Sequence, residues 1–168
     1  NESFYKFAVN EKGEIRFGLG AVKGVGEGAV EAIVDERKEG KYTAFDDFVK
    51  RVDLRSANKR TLESMVCSGG FDSFELKRSQ YFAKEDSGQT YLEKMIKFGN
   101  KVKDSANSNQ FDMFGDSSEA TIQAPIPEET PVWSTMELLS KEKDVVGIYI
   151  SGHPLDDYKV EMANFCNG

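Results

Sequence analysis

Lys23, Gly24, Val25 and Gly26 form the segment of this sequence best suited to bind an anion. Glycine adopts positive φ angles, and its missing Cβ lets another molecule approach the backbone closely. A helical pattern starts at Gly26, so the unpaired N–H groups and the positive dipole end of that helix point back at the turn. Phosphate is an anion of suitable size for such a site. Lys23 can add a charge-assisted contact.

A second glycine turn follows about two helices later, at Ser68, Gly69 and Gly70. Together the two turns could hold two phosphates of duplex DNA on one face, without reading base sequence. The alternative is that both turns only end helices and that the nearby lysine and arginine are ordinary solvated charges. The candidate DNA-binding residues are Lys23, Gly24, Val25, Gly26, Gly28, Lys59, Arg60, Ser68, Gly69 and Gly70.

The distribution of charge permits a DNA-binding surface in the first half of the chain. The net charge is −7, which is unfavourable for binding a polyanion. Residues 1–82, however, carry 14 Lys/Arg and 14 Asp/Glu, whereas residues 83–168 carry 8 and 15. The acidic excess therefore lies entirely in the second half.

The first half is expected to form a β-hairpin followed by short helices. Two β-leaning runs, 3–9 and 14–18, flank a loop of Asn10, Glu11, Lys12 and Gly13. Helical spacing then begins at Gly26, with Gly40 as the C-terminal stop. Further helices are predicted over 45–51 and 58–67, and Gly69 and Gly70 end the second of them. The predicted inward residues are Val30, Ile33, Val34, Phe45, Phe48, Val49, Leu62, Met65 and Val66.

The second half is expected to be helical on both sides of a polar linker. A helical stretch covers roughly 77–103 with a break near Ser87-Gly88. Residues 104–131 are polar and contain three prolines, which is typical of a linker. Ser134, with Glu137 three residues later, predicts a helix N-terminus, and 155–165 could form a last short helix.

Nothing in the sequence indicates a catalytic or metal site. Cys67, Cys166 and the single His153 lie far from any zinc-binding spacing, so we expect reduced thiols in a cytoplasmic protein. The acidic pairs Asp46-Asp47 and Asp156-Asp157 sit in helical patterns, where neighbouring side chains diverge and share a metal poorly. No apolar run is long enough to span a membrane. The first residues lack an initiator Met and a signal peptide, which favours a segment of a longer protein.

Three stretches resemble the alpha (polymerase) subunit of bacterial DNA polymerase III. They are IRFGLGAVKGVGEGAVEAI at 15–33, LESMVCSGGFD at 62–72 and GIYISGHPL at 147–155, in the same order as in that family. The resemblance covers nearly the whole chain and is weakest over the linker. It implies a non-catalytic segment of a DNA-directed DNA polymerase that takes part in DNA replication. No cofactor is expected in this segment, and Mg²⁺ is expected for the parent polymerase.

The resemblance also implies a domain order. Residues 1–18 would end the fingers region and 19–82 would be a tandem helix-hairpin-helix unit on duplex DNA. Residues 83–103 would be a helical extension, 104–131 the linker, and 132–168 a helical lead-in to an OB-fold domain. The predicted fold class is therefore mainly α, with a small N-terminal β-hairpin and a flexible linker before C-terminal helices. Other domains of the same polymerase chain would be its neighbours.

The segment from Gln110 to Phe114 resembles the motif by which this subunit binds the β sliding clamp. An apolar pair in a polar segment has no core of its own to enter, so a partner is expected to bury it. Met113 and Phe114 would fill an apolar pocket, and Gln110 would make orienting hydrogen bonds. The predicted clamp-binding residues are Gln110, Asp112, Met113 and Phe114.

Two other hypotheses about the function remain open from the sequence. The chain could be a protein-interaction and spacer module in which the glycine turns are purely structural. It could also be a stand-alone nuclease or glycosylase, but such an enzyme needs a carboxylate or lysine nucleophile in a pocket, and none is evident.

Overall fold

The computed structural model describes residues 1–84, 88–108 and 122–159. Within these residues the chain is mainly helical with one small β-hairpin, so the predicted fold class is confirmed. The strands are β1 (Ala8–Val9) and β2 (Ile15–Arg16). The α-helices are α1 (Glu27–Arg37), α2 (Phe45–Arg51), α3 (Lys59–Cys67), α4 (Arg78–Phe82), α5 (Tyr91–Ser108) and α6 (Thr135–Val146). Single 3₁₀ turns lie at Leu19–Ala21 and Asp156–Tyr158.

The N-terminal hairpin is antiparallel and pairs Ala8 with Arg16 and Val9 with Ile15. Its turn is closed by Asn10, whose side-chain oxygen accepts hydrogen bonds from the N–H groups of Lys12 (3.1 Å) and Glu14 (2.8 Å). An asparagine that bonds the backbone ahead of it in this way is a common turn former. The predicted hairpin is confirmed, with strands of two residues each.

Helices α1, α2 and α3 occupy the predicted positions, and their apolar stripes form the core. The side chain of Asn58 accepts a hydrogen bond from the Thr61 N–H (3.2 Å) and so caps α3 at its start. Gly69 has a φ of 80° and ends the same helix. Of the predicted inward residues all but Val34 are fully buried, and Val34 packs against the core from its edge.

An aromatic cluster joins α2 to the chain after α3. The ring of Phe45 lies 5.1 Å from Phe71 and 4.9 Å from Tyr81, both edge to face. Aromatic pairs in this arrangement contribute about 0.5–1.5 kcal/mol beyond the area that they bury. Helix α5 then packs closely on α2, because Gly99 has no side chain to meet the carbonyl of Val49. A Cβ at Gly99 would overlap that oxygen.

The break predicted near Ser87-Gly88 separates α4 from α5, and residues 85–87 lie outside the described part of the chain. Helix α5 continues to Ser108, five residues past the predicted end of the helical extension. Lys103, inside this helix, donates a hydrogen bond to the carbonyl of Val52. That carbonyl lies just after α2, so the bond ties the last turns of α5 to the core.

The described part of the linker, 122–131, has no helix or strand, as expected for a linker. Ile122 and Ala124 pack against the core rather than pointing into solvent. The side chain of Gln80 donates a hydrogen bond to the Glu128 carbonyl (3.2 Å), which holds the segment beside α4. The prediction of a clamp-binding motif at Gln110, Asp112, Met113 and Phe114 falls outside the described residues.

Helix α6 begins where the sequence predicts. The Ser134 hydroxyl accepts a hydrogen bond from the Glu137 N–H (3.2 Å), and Gly147 ends the helix with a φ of 85°. The helix packs on α3. Leu139 and Glu142 are its fully buried residues. Of the last helix predicted over 155–165, the structure shows the 3₁₀ turn Asp156–Tyr158, and residues 160–168 lie outside the described part.

Candidate nucleic-acid interface

The first glycine turn connects the 3₁₀ turn Leu19–Ala21 to α1. Val22 and Val25 are buried on either side of Gly24, so the core holds both ends of the turn. Gly24 itself has a φ of 83°, a conformation in which an L side chain is strained. The turn is therefore rigid, and its two exposed glycines, Gly24 and Gly26, face outwards.

Two neighbouring helices hold the turn in place. The Thr61 hydroxyl, at the start of α3, donates a hydrogen bond to the Gly24 carbonyl (3.0 Å). On the other side the Lys23 N–H donates to the Val145 carbonyl near the end of α6 (2.8 Å). Neither contact was predicted from the sequence, because Thr61 and Val145 lie 37 and 122 residues away along the chain.

The start of α1 leaves backbone donors open. Gly26 is the N-cap, and no side chain caps the helix. In the described part of the chain, no acceptor receives a hydrogen bond from the N–H groups of Gly26, Glu27 or Gly28. A Cβ built on Gly26 or Gly28 would meet no atom within 4 Å, so the space beside these two glycines is free. Open N–H groups at a helix N-terminus favour an anion.

Of the adjacent basic residues Lys59 and Arg60, only Arg60 is without an ion pair among the described residues. Lys23 and Arg60 are exposed, and neither forms an ion pair within the described residues. The Arg60 side chain lies next to Gly24, with its Nε 3.7 Å from where a Cβ of that glycine would be. Arg60 is therefore placed to accompany Lys23 at the turn.

Lys59 is neutralised by its neighbours. Its ammonium group lies 2.7 Å from the Glu93 carboxylate and 3.6 Å from that of Glu63. The hydrogen bond from Lys59 lowers the pKa of Glu93 to about 2, and the same bond raises the pKa of Lys59. A lysine held by two carboxylates offers little charge to a phosphate, so the adjacent residues Lys59 and Arg60 differ in what they can bind.

The second glycine turn has a different geometry. The N–H groups of Ser68, Gly69 and Gly70 donate to the carbonyls of α3 residues Ser64, Val66 and Met65. The turn thus lies at the C-terminal, negative end of α3, where the dipole disfavours an anion. The next helix, α4, starts only at Arg78. These three N–H groups already donate hydrogen bonds within the chain, so they are not free for a phosphate. The contact of this turn with DNA stays a prediction.

Arg78 covers the second turn. Its guanidinium forms a two-point ion pair with Asp72 (2.8 and 2.5 Å) and donates to the Cys67 carbonyl (3.1 Å). A Cβ at Gly69 would overlap this guanidinium, so the glycine here makes room for the protein's own cation. The hydrogen bond with Asp72 is the main cause that raises the pKa of Arg78.

Glu142 of α6 joins the same network from the other side. Its carboxylate is fully buried and accepts hydrogen bonds from the N–H groups of Ile150 (2.6 Å) and Ser151 (2.8 Å) and from the Ser151 hydroxyl (2.6 Å). Arg78 contributes a further bond at 3.3 Å. The sequence held a signal for this residue, since Glu142 lies three positions after Leu139 on the buried side of α6.

The acidic pair Asp46-Asp47 is engaged by cations of the chain itself. Asp46 is bound by Lys50 (2.8 Å), a contact that lowers the pKa of Asp46, while Asp47 lies 3.4 Å from Arg51. Each carboxylate therefore has a cation of the chain itself as its partner. Across the described ranges, no group of three or more His, Cys, Asp and Glu residues could hold a metal ion. None of the helices described is long and apolar enough to cross a membrane.

Comparison with known proteins agrees with this geometry. Residues 1–81 match the family model described as a helix-hairpin-helix motif. The chain is 38% identical to DNA polymerase III subunit alpha of Pseudomonas fluorescens over 98% of its length. It is 39% identical to the subunits of Neisseria meningitidis serogroup A and Borreliella burgdorferi, over 96% and 98%.

The chain matches a segment of DNA polymerase III alpha subunits. The resemblance predicted from the sequence is thus confirmed, and so is the helix-hairpin-helix motif. The chain spans 13–15% of the length of these relatives, so most of each relative lies outside the matched segment. Within the matched motif, the first turn has the open N–H groups and α3 lies against it.

Proposed function

We propose that this chain is a DNA-holding segment of a DNA polymerase III alpha subunit and that its first glycine turn binds the phosphate backbone of duplex DNA. One observation carries the proposal. The open N–H groups of Gly26, Glu27 and Gly28 lie at the start of an 11-residue helix. Beside them lie two cations, Lys23 and Arg60, that form no ion pair within the described ranges. Backbone donors and flexible cations of this kind contact phosphate oxygens, which carry no sequence information.

Binding through phosphate predicts a strong dependence on salt. Each neutralised phosphate releases condensed counterions, so the logarithm of the affinity falls with the logarithm of the salt concentration at a slope of about 0.9 per contact. The net charge of −7 opposes binding by the isolated chain. Measurements therefore belong at low ionic strength, on the order of 50 mM salt.

The test measures binding of fluorescent duplexes of two unrelated sequences by anisotropy. Lys23→Glu combined with Gly26→Asp is expected to weaken binding at least about tenfold for both duplexes. Arg60→Ala is expected to weaken it about threefold and to reduce the salt slope by about 1. Lys59→Ala is the matched control for Arg60→Ala, because its charge is already held by Glu93.

The control for the double variant is Lys12→Glu with Lys38→Gln, which changes the net charge by the same −3 at exposed positions away from the turn. Equal weakening by both double variants would mean that only overall charge matters. Unchanged binding by Lys23→Glu with Gly26→Asp would show that the turn is purely structural. The chain would then act as a protein-interaction and spacer module.

The same proposal includes tethering to the β sliding clamp through Gln110, Asp112, Met113 and Phe114. Its support is chemical: Met113 and Phe114 form an apolar pair in an otherwise polar segment, with Phe111 as the other large apolar side chain close by. An apolar pair of this kind fills a pocket on a partner, and a glutamine can bond that partner's backbone.

A pull-down with purified clamp tests this tether. Met113→Ala with Phe114→Ala is expected to reduce retention at least about tenfold, because the double variant lacks the two side chains that would anchor the interface. The control is Ile126→Ala with Val132→Ala, two aliphatic residues that are exposed in the described part of the same region. Equal retention of both variants and the unmodified chain would remove the tether from the proposal.

The chemistry of the parent polymerase is proposed to lie outside this chain. In this chain Asp46 and Asp47 are engaged by Lys50 and Arg51, and Asp156 by Lys159, so these carboxylates do not fit the Mg²⁺ ions expected for nucleotide transfer. The segment would hold the duplex made by other domains of the same chain, in the bacterial cytoplasm where the chromosome is replicated.

A further inference from the structure

The N-terminal β-hairpin presents its apolar side to solvent. Val9 and Ile15 pair directly across the two strands, and their exposed fractions are 68% and 75%. Phe7 lies two residues before Val9, hence on the same face, and is 58% exposed. Its ring meets Phe17 of the opposite strand at 4.7 Å. We call these four residues, Phe7, Val9, Ile15 and Phe17, the hairpin face.

The charged side chains on the polar side of the hairpin have ion-pair partners within the chain. Arg16, on the opposite face from Ile15, forms ion pairs with Glu2 (2.7 Å) and Glu14 (2.9 Å). The ion-paired side of the hairpin therefore has its partners within the chain, whereas the side with Val9 and Ile15 faces solvent. A two-stranded hairpin is marginally stable alone and needs a layer packed on its apolar side, and that layer is absent from the described residues of this chain.

The chain cannot supply the layer by bending the hairpin back onto its own core. The Leu19 and Gly20 N–H groups donate to the carbonyls of Phe4 (2.8 Å) and Tyr5 (3.0 Å). At Gly18 the backbone of residues 5–7 crosses so closely that a Cβ there would overlap it. These contacts fix the orientation of the hairpin relative to the first glycine turn, so the described residues do not cover its apolar side.

We propose that the hairpin face is the docking surface for another part of the parent polymerase chain, outside residues 1–168. This inference rests on the proposed function, in which the chain is one segment of a longer subunit. The relatives are long enough to contain such a part, because this chain spans only 13–15% of their length. A segment in the same chain binds at a high effective concentration, so a small apolar surface suffices.

The chemistry of the covering segment follows from the side chains of the hairpin face. All four of them are apolar, and Phe7, Val9 and Ile15 are exposed. The segment should therefore bring aliphatic or aromatic side chains to cover them. None of the four side chains of the face carries a cation for a phosphate backbone, which favours protein over nucleic acid.

A second copy of this chain is the weaker choice of occupant. A stable dimer buries about 800 Å² on each partner. The hairpin face has four side chains, one of them already packed against the core, which is too small a surface. Concentration-dependent association through this face would nevertheless overturn the proposal, and it can be measured directly.

The test compares hydrogen exchange in the full-length polymerase subunit and in the isolated chain. Amides of residues 7–17 are expected to exchange at least about tenfold more slowly in the full-length protein. Val9→Lys with Ile15→Lys should abolish that difference, because two charges cannot enter an apolar interface. Glu11→Lys adds the same +2 charge in the hairpin turn and should leave the difference unchanged.

In the isolated chain the lysine double variant is expected to shift the unfolding midpoint by no more than about 2 °C, since both side chains are already in solvent. If the lysine variant of the full-length subunit does not fold, Val9→Thr with Ile15→Thr replaces it and should reduce the protection partially. Equal exchange of residues 7–17 in the two proteins would overturn the proposal. So would concentration-dependent dimerisation of the isolated chain that the lysine variant abolishes.

Failure of this proposal is distinguishable from failure of the proposed function. The hairpin-face variants should leave duplex binding by the isolated chain unchanged, while Lys23→Glu with Gly26→Asp should leave the exchange of residues 7–17 unchanged.

Discussion

The two glycine turns of this chain look alike in sequence and differ in structure. In the first turn Gly26 is the N-cap of α1, and three N–H groups at the start of this helix have no acceptor among the described residues. In the second turn Gly69 and Gly70 end a helix, and their N–H groups bond back to α3. The first turn therefore offers the positive end of a helix dipole and the second the negative end.

The comparison shows that glycine alone does not predict an anion site. At Gly26 and Gly28 the missing side chain leaves space for another molecule. At Gly69 it leaves space for the guanidinium of Arg78. The first turn is open to a ligand because Thr61 and Val145 bond the Gly24 carbonyl and the Lys23 N–H and leave the N–H groups at the start of α1 free. The other turn is closed by an ion-pair network that reaches from Asp72 to Glu142.

The largest expected effect comes from opening that network. Glu142→Ala removes a buried carboxylate that four donors share and leaves the N–H groups of Ile150 and Ser151 unpaired. The free energy of unfolding is expected to fall by about 3 kcal/mol in urea denaturation. Glu137→Ala, at an exposed position of the same helix, should cost less than about 0.5 kcal/mol. A loss below about 1 kcal/mol for Glu142→Ala would mean that the network does not hold α6 in place.

A smaller effect is expected from filling the second turn. Gly69→Ala forces a side chain to adopt a φ of 80° and pushes against Arg78. The expected loss of stability is about 1–2 kcal/mol, and duplex affinity should stay within twofold of the unmodified chain. A selective loss of DNA binding at full stability would show instead that the second turn contacts phosphate.

The first turn should respond in the opposite way. Gly26→Asp places a good capping side chain at the start of α1, where it accepts from the open N–H groups. Stability is expected to rise by a few tenths of a kcal/mol, while duplex affinity falls about fivefold, because the new carboxylate occupies and repels the phosphate site. Gly26→Ala, which has no capping oxygen, separates these two effects. Unimpaired binding by Gly26→Asp would contradict the assignment of these N–H groups.

The smallest expected effect is on pH dependence. Hydrogen bonds from Ser151, Ile150 and Arg78 outweigh burial and lower the pKa of Glu142 below its ordinary value of 4.5. A lowered pKa stabilises the fold above pH 4.5, and this contribution is lost as the pH falls through the lower folded value. Between pH 6 and 3 the stability of Glu142→Gln should therefore decline less than that of the unmodified chain. Parallel declines would show that other carboxylates account for the acid sensitivity.

The local structure was largely predictable. The period of apolar residues placed α1, α2 and α3, and Ser134 with Glu137 placed the start of α6, because capping and periodicity act over a few residues. The hairpin at Asn10–Gly13 was predictable for the same reason. The end of α5 at Ser108 was not, since the polar residues after 103 give no stop signal and only the contact of Lys103 with α2 shows that the helix is held there.

The sequence by itself determined where the helices and both glycine turns lie and which residues enter the core. Only the tertiary structure decided which turn is open. That choice depends on Thr61 meeting Gly24, on Glu142 meeting Arg78 across 64 residues, and on Lys59 rather than Arg60 meeting Glu93. Contacts between residues far apart along the chain leave no local pattern, because they depend on how the helices pack rather than on how each one forms.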